Sequence, residues 1–548
     1  MTRSEGEGAE ATFDYVIVGA GSAGCVLASG LSEDPSVTVC LLEAGPPDMN
    51  PYIHIPAGFI KTFEKSSVNW GYRQEPSPNT AGRVLLAPRG KTLGGSSSIN
   101  GHIYNRGQPA DFDTWAQLGN AGWSFADLLP IFKRLEGRVG AGDDALRGRE
   151  GPLTVTDLEE SHPLCEAFLQ GAEEIGLPRN PDYNGASQAG VSYAQRTIRN
   201  GRRVSAATAF LRPAMRRANL SVRTHAHATE ILFEGGRAVG IRFRKGGRSG
   251  GVATVRARRE VILSGGAYNT PQLLELSGIG HPDILKANGI TVRHALPGVG
   301  ERLQDHYAPR TVVRIKNIAT INEISRGPRL CVEVAKWLLT RRGILSLSPT
   351  LVYGAWHSGV TPETCDLQFT FTPASYDEGV IGRLAETPGM TVAVWQQRPE
   401  SRGSVHIGSG DPFTPPRIQH NYLSAEIDRR VLVAGMRLSR RLLETEPFRP
   451  YYDFEEFPGP DVRTDDELLD AARRKGNSTY HPACSCAMGP GEDRTAVVDD
   501  RLRVHGIAGL RVADASILPR MISGNLNAIS QVIGAKAADL IRAEAAPA

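Results

Sequence analysis

The chain has 548 residues, 40% of them apolar, and a formal net charge of only +3. That length exceeds one ordinary domain, so two intimately joined domains are expected. The near-balanced charge gives no electrostatic case for a nucleic-acid partner, and no apolar run of about 18 residues reads as a transmembrane segment. Seven scattered cysteines, an odd number, argue for a reducing, cytoplasmic setting rather than a disulfide framework. Peripheral membrane association and a homo-oligomer stay open. Residues 1–11 are polar and acidic, lack the apolar core of a signal peptide, and read as a flexible N-terminus.

The first element is strand-like, Asp14 to Val18, and is followed by Gly19, Gly21 and Gly24 in G-x-G-x-x-G spacing. A helix from about Ser22 to Glu33 comes next, then an apolar strand from Val37 to Leu42 that ends at Glu43. Gly19 permits the sharp turn, Gly21 a close approach to a pyrophosphate, and Gly24 close helix–strand packing. The helix N-terminus presents free N–H groups to that anion. Glu43 is placed to accept from the two hydroxyls of an adenosine ribose. A lone Gly-rich turn would be weak evidence, but here the strand, helix and acid all accompany it. This stretch alone leaves FAD and NAD equally open.

Residues 46–72 read as a loop-like cover over the nucleotide rather than regular helix. Arg89 to Gly107 (RGKTLGGSSSINGHIYNRG) reads as a second, hydroxyl-rich cofactor loop, with a helix starting at about Ser98. Asp111 to Arg134 looks helical with a break at Gly119 to Gly122, and Arg138 to Gly151 reads as a surface loop. Pro163 to Ile175 is an amphipathic helix, and a further helix starts at Ser205. Leu220 to Arg244 and Val252 to Leu263 alternate apolar and polar residues and read as antiparallel strands. Ser264 to Gly280 is a strand-to-helix turn in which Asn269-Thr270-Pro271 reads as the helix start.

From Pro309 to about Gly459 strand-like runs (366–372, 391–398, 404–407) alternate with helical ones (329–340, 426–444). This pattern suggests a substrate-facing domain on an antiparallel sheet. The last third carries STYHPACSCAMG (478–489) and then VADASILPRMISGNLNAIS (512–530). Leu510 to Ala513 reads as a strand and Ala528 to Ile541 as the final helix.

Four of these motifs, in order, resemble the glucose–methanol–choline (GMC) family of FAD-dependent oxidoreductases: GAGSAG with Glu43, RGKTLGGSSSINGHIYNRG, GAYNTPQLLELSGIG, and YHPACSCAMG with VADASILP and GNLNA. NPYIHIPAGF, NGRRVSAATAFLRP and VGERLQDH bring the chain nearest the bacterial alcohol and choline dehydrogenase branch. The resemblance implies an α/β fold with a Rossmann-like FAD domain assembled from residues 12–157, 200–308 and 470–548. A substrate domain would take 158–199 and 309–469. It implies oxidation of an alcohol by hydride transfer to flavin N5.

The implied cofactor residues are Gly19, Gly21, Ser22, Gly24, Glu43 and Ala44, then Arg89, Thr92, Gly94, Ser98, Asn100, Gly101, His102 and Ile103, then Ala228. Tyr480, Asp514, Ala515, Asn527 and Ala528 complete them. The implied catalytic pair is His481, as general base, and Asn527, which holds the substrate oxygen. An imidazole titrating near neutrality suits removal of a hydroxyl proton.

Two departures stand near that pair. Cys484-Ser485-Cys486-Ala487 replaces the Gly-Thr-Cys-Arg of many relatives, and Ile529 replaces a Pro. Choline oxidases carry a covalently FAD-linked His where this chain has Ile99, so the FAD is expected to be non-covalent. His102, offset by three, reads as a packing or hydrogen-bonding residue on the cofactor. A metal at His481, Cys484 and Cys486 is disfavoured because no second Cys/His pair lies nearby, and a Cys484–Cys486 disulfide would be strained. The expected substrate is a primary alcohol, aliphatic or aromatic, because no acidic cluster suggests a cation site. The electron acceptor is O₂ or quinone-like. A non-redox lyase of the hydroxynitrile lyase type on the same fold, a choline-type dehydrogenase and an NAD-dependent dehydrogenase are the alternatives. Trp337, Tyr353, Trp356, Tyr376 and Trp395 are candidate pocket residues, with core packing the favoured role.

Overall fold

Strand Ala11–Val18 lies inside a seven-stranded sheet, paired in parallel with Val39–Leu42 on one side and Val252–Leu263 on the other. Both faces of such a strand are covered, which is why Tyr15 to Val18 is an unbroken apolar run. The structure is a computed structural model that describes residues 11–64, 67–158, 160–362, 365–377 and 383–545. Most of the N-terminal segment expected to be flexible lies outside the described residues, and Ala11 already belongs to the first strand.

The sheet order is Leu220–Arg223, Val39–Leu42, Ala11–Val18, Val252–Leu263, Arg237–Lys245, Ala226–Glu234, with Leu510–Val512 pairing to Val252–Leu263. The antiparallel reading of 220–263 therefore needs correction. Ala226–Glu234, Arg237–Lys245 and Val252–Leu263 do form an antiparallel ribbon. Leu220–Arg223, however, runs parallel to Val39–Leu42. Alternation along a strand reports which faces are buried, not which neighbour it pairs with. Helix Leu526–Ala545 packs against helix Ser22–Leu31 so closely that a Cβ on Gly534 would lie 2.3 Å from the Ala23 carbonyl oxygen.

A second sheet is wholly antiparallel, in the order Tyr452–Phe457, Arg310–Ile315, Gly389–Gln396, Leu367–Thr372, Val352–Trp356, Gly190–Tyr193. Helix Glu426–Leu443 covers one face; Gly435 sits where a Cβ would meet Val394 Cγ2 at 2.8 Å. Acidic Glu426 and Asp428 in its first turn and Arg440 and Arg441 in its last complement the helix dipole. The other face looks toward the dinucleotide motifs.

Four local expectations change. Residues 46–72 contain short helices, Pro51–His54 and Phe59–Glu64, the first capped by the Asn50 side chain. No helix starts at Ser98; Gly95–Ser98 is one 3₁₀ turn, with Gly94 and Gly95 at positive φ. The helix of the third motif runs Gly266–Leu276, three residues earlier than the Asn269 start, and contains Pro271. The last helix begins at Leu526 rather than Ala528.

Candidate active site

The first two Gly-rich motifs build one cradle. Gly94 N–H donates to the Ala20 carbonyl at 2.8 Å. A Cβ on Gly95 would lie 2.7 Å from Gly21 Cα, and a Cβ on Gly24 would lie 1.9 Å from the Gly19 carbonyl oxygen. Side chains are excluded so that backbone can meet backbone and leave N–H groups facing the cavity. Glu43 is buried at the strand end, accepting from Ala20 N–H at 3.0 Å and Gly45 N–H at 2.8 Å. Burial lifts its carboxyl to about 7, with those two N–H groups pulling the other way.

A large cavity begins at this cradle and ends against the second sheet. Its wall includes Gly19, Gly21, Ser22, Glu43, Ala44, Arg89, Asn100, Gly101, His102, Ile103, Ala228, Tyr480, His481, Asp514, Ala515 and Asn527. His102 is fully buried with neither ring nitrogen hydrogen-bonded among the described residues, so its expected hydrogen-bonding role has no protein partner. A polar cradle closed to Cβ atoms and an orphaned imidazole fit a bound dinucleotide.

Five expected contacts stand behind the wall instead of in it: Gly24, Thr92, Gly94, Ser98 and Ala528. Thr92 Oγ1 donates to the Pro46 carbonyl at 2.9 Å, and Ser98 Oγ to the Leu93 carbonyl at 2.7 Å. The 3₁₀ turn rotates Ser98 inward and presents Gly95, Ser96 and Ser97 to the cavity. Of the five aromatic candidates only Trp395 lines it. Tyr353 stacks on Tyr183 at 3.9 Å, and Trp337 Nε1 donates to the Gly201 carbonyl at 3.0 Å.

At the far end two short antiparallel strands, Tyr307–Ala308 and Asn477–Ser478, bring His306 against His481. Asp305 Oδ1 accepts from both backbone N–H groups, at 2.9 Å from His306 and 2.7 Å from His481. Burial alone would raise the Asp305 carboxyl, but His420, Ser478 and Tyr422 hold it below the usual carboxylate range. Tyr480, next to His481, is held at a φ of 67°, a strained position for a non-glycine residue.

The hydrogen bonds fix the tautomers. The Gln397 carbonyl only accepts, so the His306 Nε2 that lies 2.7 Å from it carries a proton. In a neutral ring His306 Nδ1 is then an acceptor, and His481 Nδ1, 3.0 Å away, is the donor. Thr479 Oγ1 agrees: it donates to the His306 carbonyl at 3.3 Å and stands 2.9 Å from His481 Nδ1 as an acceptor. This leaves a lone pair on His481 Nε2, which receives Asn525 Nδ2–H at 3.0 Å. Burial pushes His481 down to about 3, with His306 adding to the shift, and burial likewise lowers His306. Both imidazoles are neutral.

The residue beside His481 is therefore Asn525, not the expected Asn527. Asn527 Oδ1 accepts from Ser22 Oγ at 2.9 Å, tying the last helix to the first. Asn525 Oδ1 is in turn held by Gln368 Nε2 at 3.3 Å. Cys484 and Cys486 are buried free thiols, and burial pushes both up, Cys484 to about 12. Among the described residues no cluster of three His, Cys, Asp or Glu side chains is arranged to hold a metal ion.

The GMC oxidoreductase family model matches the chain over residues 13–308 and 399–534. The chain is 41% identical over 541 residues to the oxygen-dependent choline dehydrogenase of Staphylococcus aureus (strain MSSA476), covering 97% of this chain and 93% of that one. The crystal structure of pyridoxine 4-oxidase from Mesorbium loti superposes with a TM-score of 0.87 at 30% identity, over 97% of this chain and 99% of that one. A formate oxidase superposes with a TM-score of 0.90 at 26% identity, over 98% and 99% of the two chains.

Proposed function

The chain belongs to the GMC oxidoreductase family of FAD-dependent enzymes that act on CH–OH donors, and from that premise we propose that it oxidises a primary alcohol, aliphatic or aromatic, to the aldehyde, with His481 as general base. The observation that carries this reading is the pair of His481 Nε2 and Asn525 Nδ2, 3.0 Å apart on the wall of the cavity that the Gly-rich cradle opens. On this reading the segments that form the seven-stranded sheet make the cofactor domain, and those of the six-stranded sheet the substrate domain.

FAD, when bound, supplies the acceptor for the hydride that leaves the carbinol carbon. The substrate hydroxyl replaces the direct bond between Asn525 Nδ2–H and His481 Nε2, the two side chains parting to admit it. Asn525 Nδ2–H donates to its oxygen, and His481 Nε2 removes its proton. His481 would hold that proton while the aldehyde departs. Proton removal by a positioned base contributes typically about 10²–10⁴-fold. The imidazolium formed keeps its Nδ1–H on His306 Nδ1 and Thr479 Oγ1, so its charge is met without any movement of the ring. Asp305, with two backbone bonds, keeps both rings in register.

Ile99 at the position of the covalent His supports dissociable FAD. The S. aureus relative, an oxygen-dependent choline dehydrogenase, makes O₂ the first acceptor to test and choline the main competing substrate. Anaerobic titration of the holoenzyme with a panel of alcohols tests the reading: bleaching of the yellow flavin by primary alcohols is expected. A flavin that stays oxidised across the panel would overturn it in favour of a non-redox role.

A further inference from the structure

The cavity wall facing His481 is one row-ordered surface of the second sheet. Arg310 pairs with Ala393, and Ala393 pairs with Thr370, so these three side chains form a row across three strands. All three line the cavity. Trp395, two residues along from Ala393, faces the same side; its ring lies 6.4 Å from the His481 ring, centroid to centroid. Two residues of strand span about 7 Å. The Arg310 row is thus one pleat repeat beyond the wall that flanks His481.

Arg310 is half-buried, and its guanidinium carbon lies 5.3 Å from the Tyr376 ring centroid. Among the described residues no carboxylate pairs with it. The two carboxylates on the cavity wall are committed elsewhere. Glu43 serves the dinucleotide turn, and Asp514 accepts from Gly266 N–H at 2.9 Å and Thr270 Oγ1 at 2.6 Å. The other lining arginine, Arg89, is spent on backbone carbonyls of Pro88 and Tyr480. Beside Arg310 the wall also holds a phenol, Tyr480 Oη, and an indole, Trp395 Nε1, both buried and without a hydrogen-bond partner among the described residues. Burial pushes the Tyr480 phenol up while Arg310 acts in the opposite sense, so the two groups lie within electrostatic reach. A guanidinium on an aromatic ring, unpaired among the described residues, with two orphaned donors on the same cavity wall, is a receptor for a planar anion.

We infer that the substrate is an alcohol that carries a carboxylate, with the carboxylate on Arg310 and the hydroxyl on His481 and Asn525. The inference rests on the alcohol-oxidation reading above and narrows it. It also separates this chain from a choline site: among the described residues a quaternary ammonium would meet one uncompensated cation and no free carboxylate.

The test compares 4-(hydroxymethyl)benzoate, its methyl ester, benzyl alcohol and choline as substrates of the holoenzyme, followed by Arg310→Ala and Arg310→Lys. The benzoate is expected to exceed its ester in kcat/KM by about 10- to 100-fold, the range of one charge-assisted pair. Arg310→Ala should bring that ratio close to one, mainly through KM for the acid, and Arg310→Lys should restore part of it. Flavin absorbance reports that each variant holds its cofactor. Oxidation of neutral alcohols with no preference for the acid, or choline as the best substrate, overturns this inference alone. No oxidation of any alcohol overturns the parent reading and this inference with it.

Discussion

Nδ1 of His306 and Nδ1 of His481 lie 3.0 Å apart, and the Gln397 carbonyl on the far side of His306 decides which of them donates. The fixed proton on His306 Nε2 passes its constraint to His481, which keeps its own proton on Nδ1 and points a lone pair at Asn525. The constraint reaches His481 Nε2 through two rings from one backbone carbonyl.

Removing His306 should release the tautomer and remove part of what depresses His481. In His306→Asn, kcat/KM is expected to fall about 10-fold or more, and its acid limb should move up toward the ordinary histidine range. A lower rate with an unmoved acid limb would leave His306 a purely structural role. Wild-type activity should show no limb near pH 6.5, since burial holds His481 at about 3.

Replacing His481 by Ala removes the proposed proton acceptor and should leave the cradle intact. Turnover should drop by about 10²–10⁴-fold with flavin content unchanged. Full turnover in this variant would end the base assignment.

Asn525 and Asn527 should part company on substitution. Asn525→Ala is expected to lower kcat with FAD retained, because its amide meets the base. Asn527→Ala loosens the link between the first and last helices at Ser22, so loss of FAD on gel filtration is its expected signature. The reverse pattern would restore Asn527 to the catalytic role.

Gly24→Ala puts a methyl group 1.9 Å from the Gly19 carbonyl oxygen. No side-chain rearrangement relieves a clash with backbone, so the variant should purify without yellow colour or fail to fold. Gly235→Ala, on a turn with open space for its Cβ, is the control; its only strain is a φ of 51°.

His406 bonds Glu275 at 2.7 Å and Glu301 at 3.1 Å, joining the helix of the third motif to the strand Ser404–His406. Burial opposes its charge, yet the two carboxylates lift it to about 9. Burial raises Glu275 in the same contact, while His406 and the Ile407 N–H pull it down. A raised histidine stabilises fully below its unfolded value, near 6.5, and loses that stabilisation as pH rises to 9. The term is about 3 kcal/mol at most. Thermal melts of the holoenzyme should weaken between pH 7 and 9, and His406→Gln should flatten that decline. A decline equally steep in the variant would remove His406 from the account.

The site was unevenly legible. His481 follows from its own motif, because the His-Pro dipeptide and its neighbours lie together in sequence. Asn525 does not, because its role depends on where the last helix begins. With the start set at Ala528, Asn527 reads as the residue before the helix. With the start at Leu526, Asn527 is already inside it, and at about 100° per residue it points some 200° away from Asn525. Two residues of error at a helix start thus exchange the side chain that meets His481 for the one that meets Ser22. The same sensitivity misplaced Ser98, which a single 3₁₀ turn rotates behind the cavity wall.

What the sequence by itself determined was the cofactor cradle. Strand, glycine turn, helix and acid occupy Asp14 to Glu43, and Gly24 is required by a contact with Gly19 inside that turn, whereas Gly19 is closed to a Cβ by Ser264 from the distant chain. The chemistry at the other end of the cavity was decided only by the tertiary structure. His306 meets His481 from 175 residues away, and Arg310 joins the cavity wall through its register with Ala393. A strand's alternation records which side chains are buried, but the register of one strand on the next decides which of them share a wall.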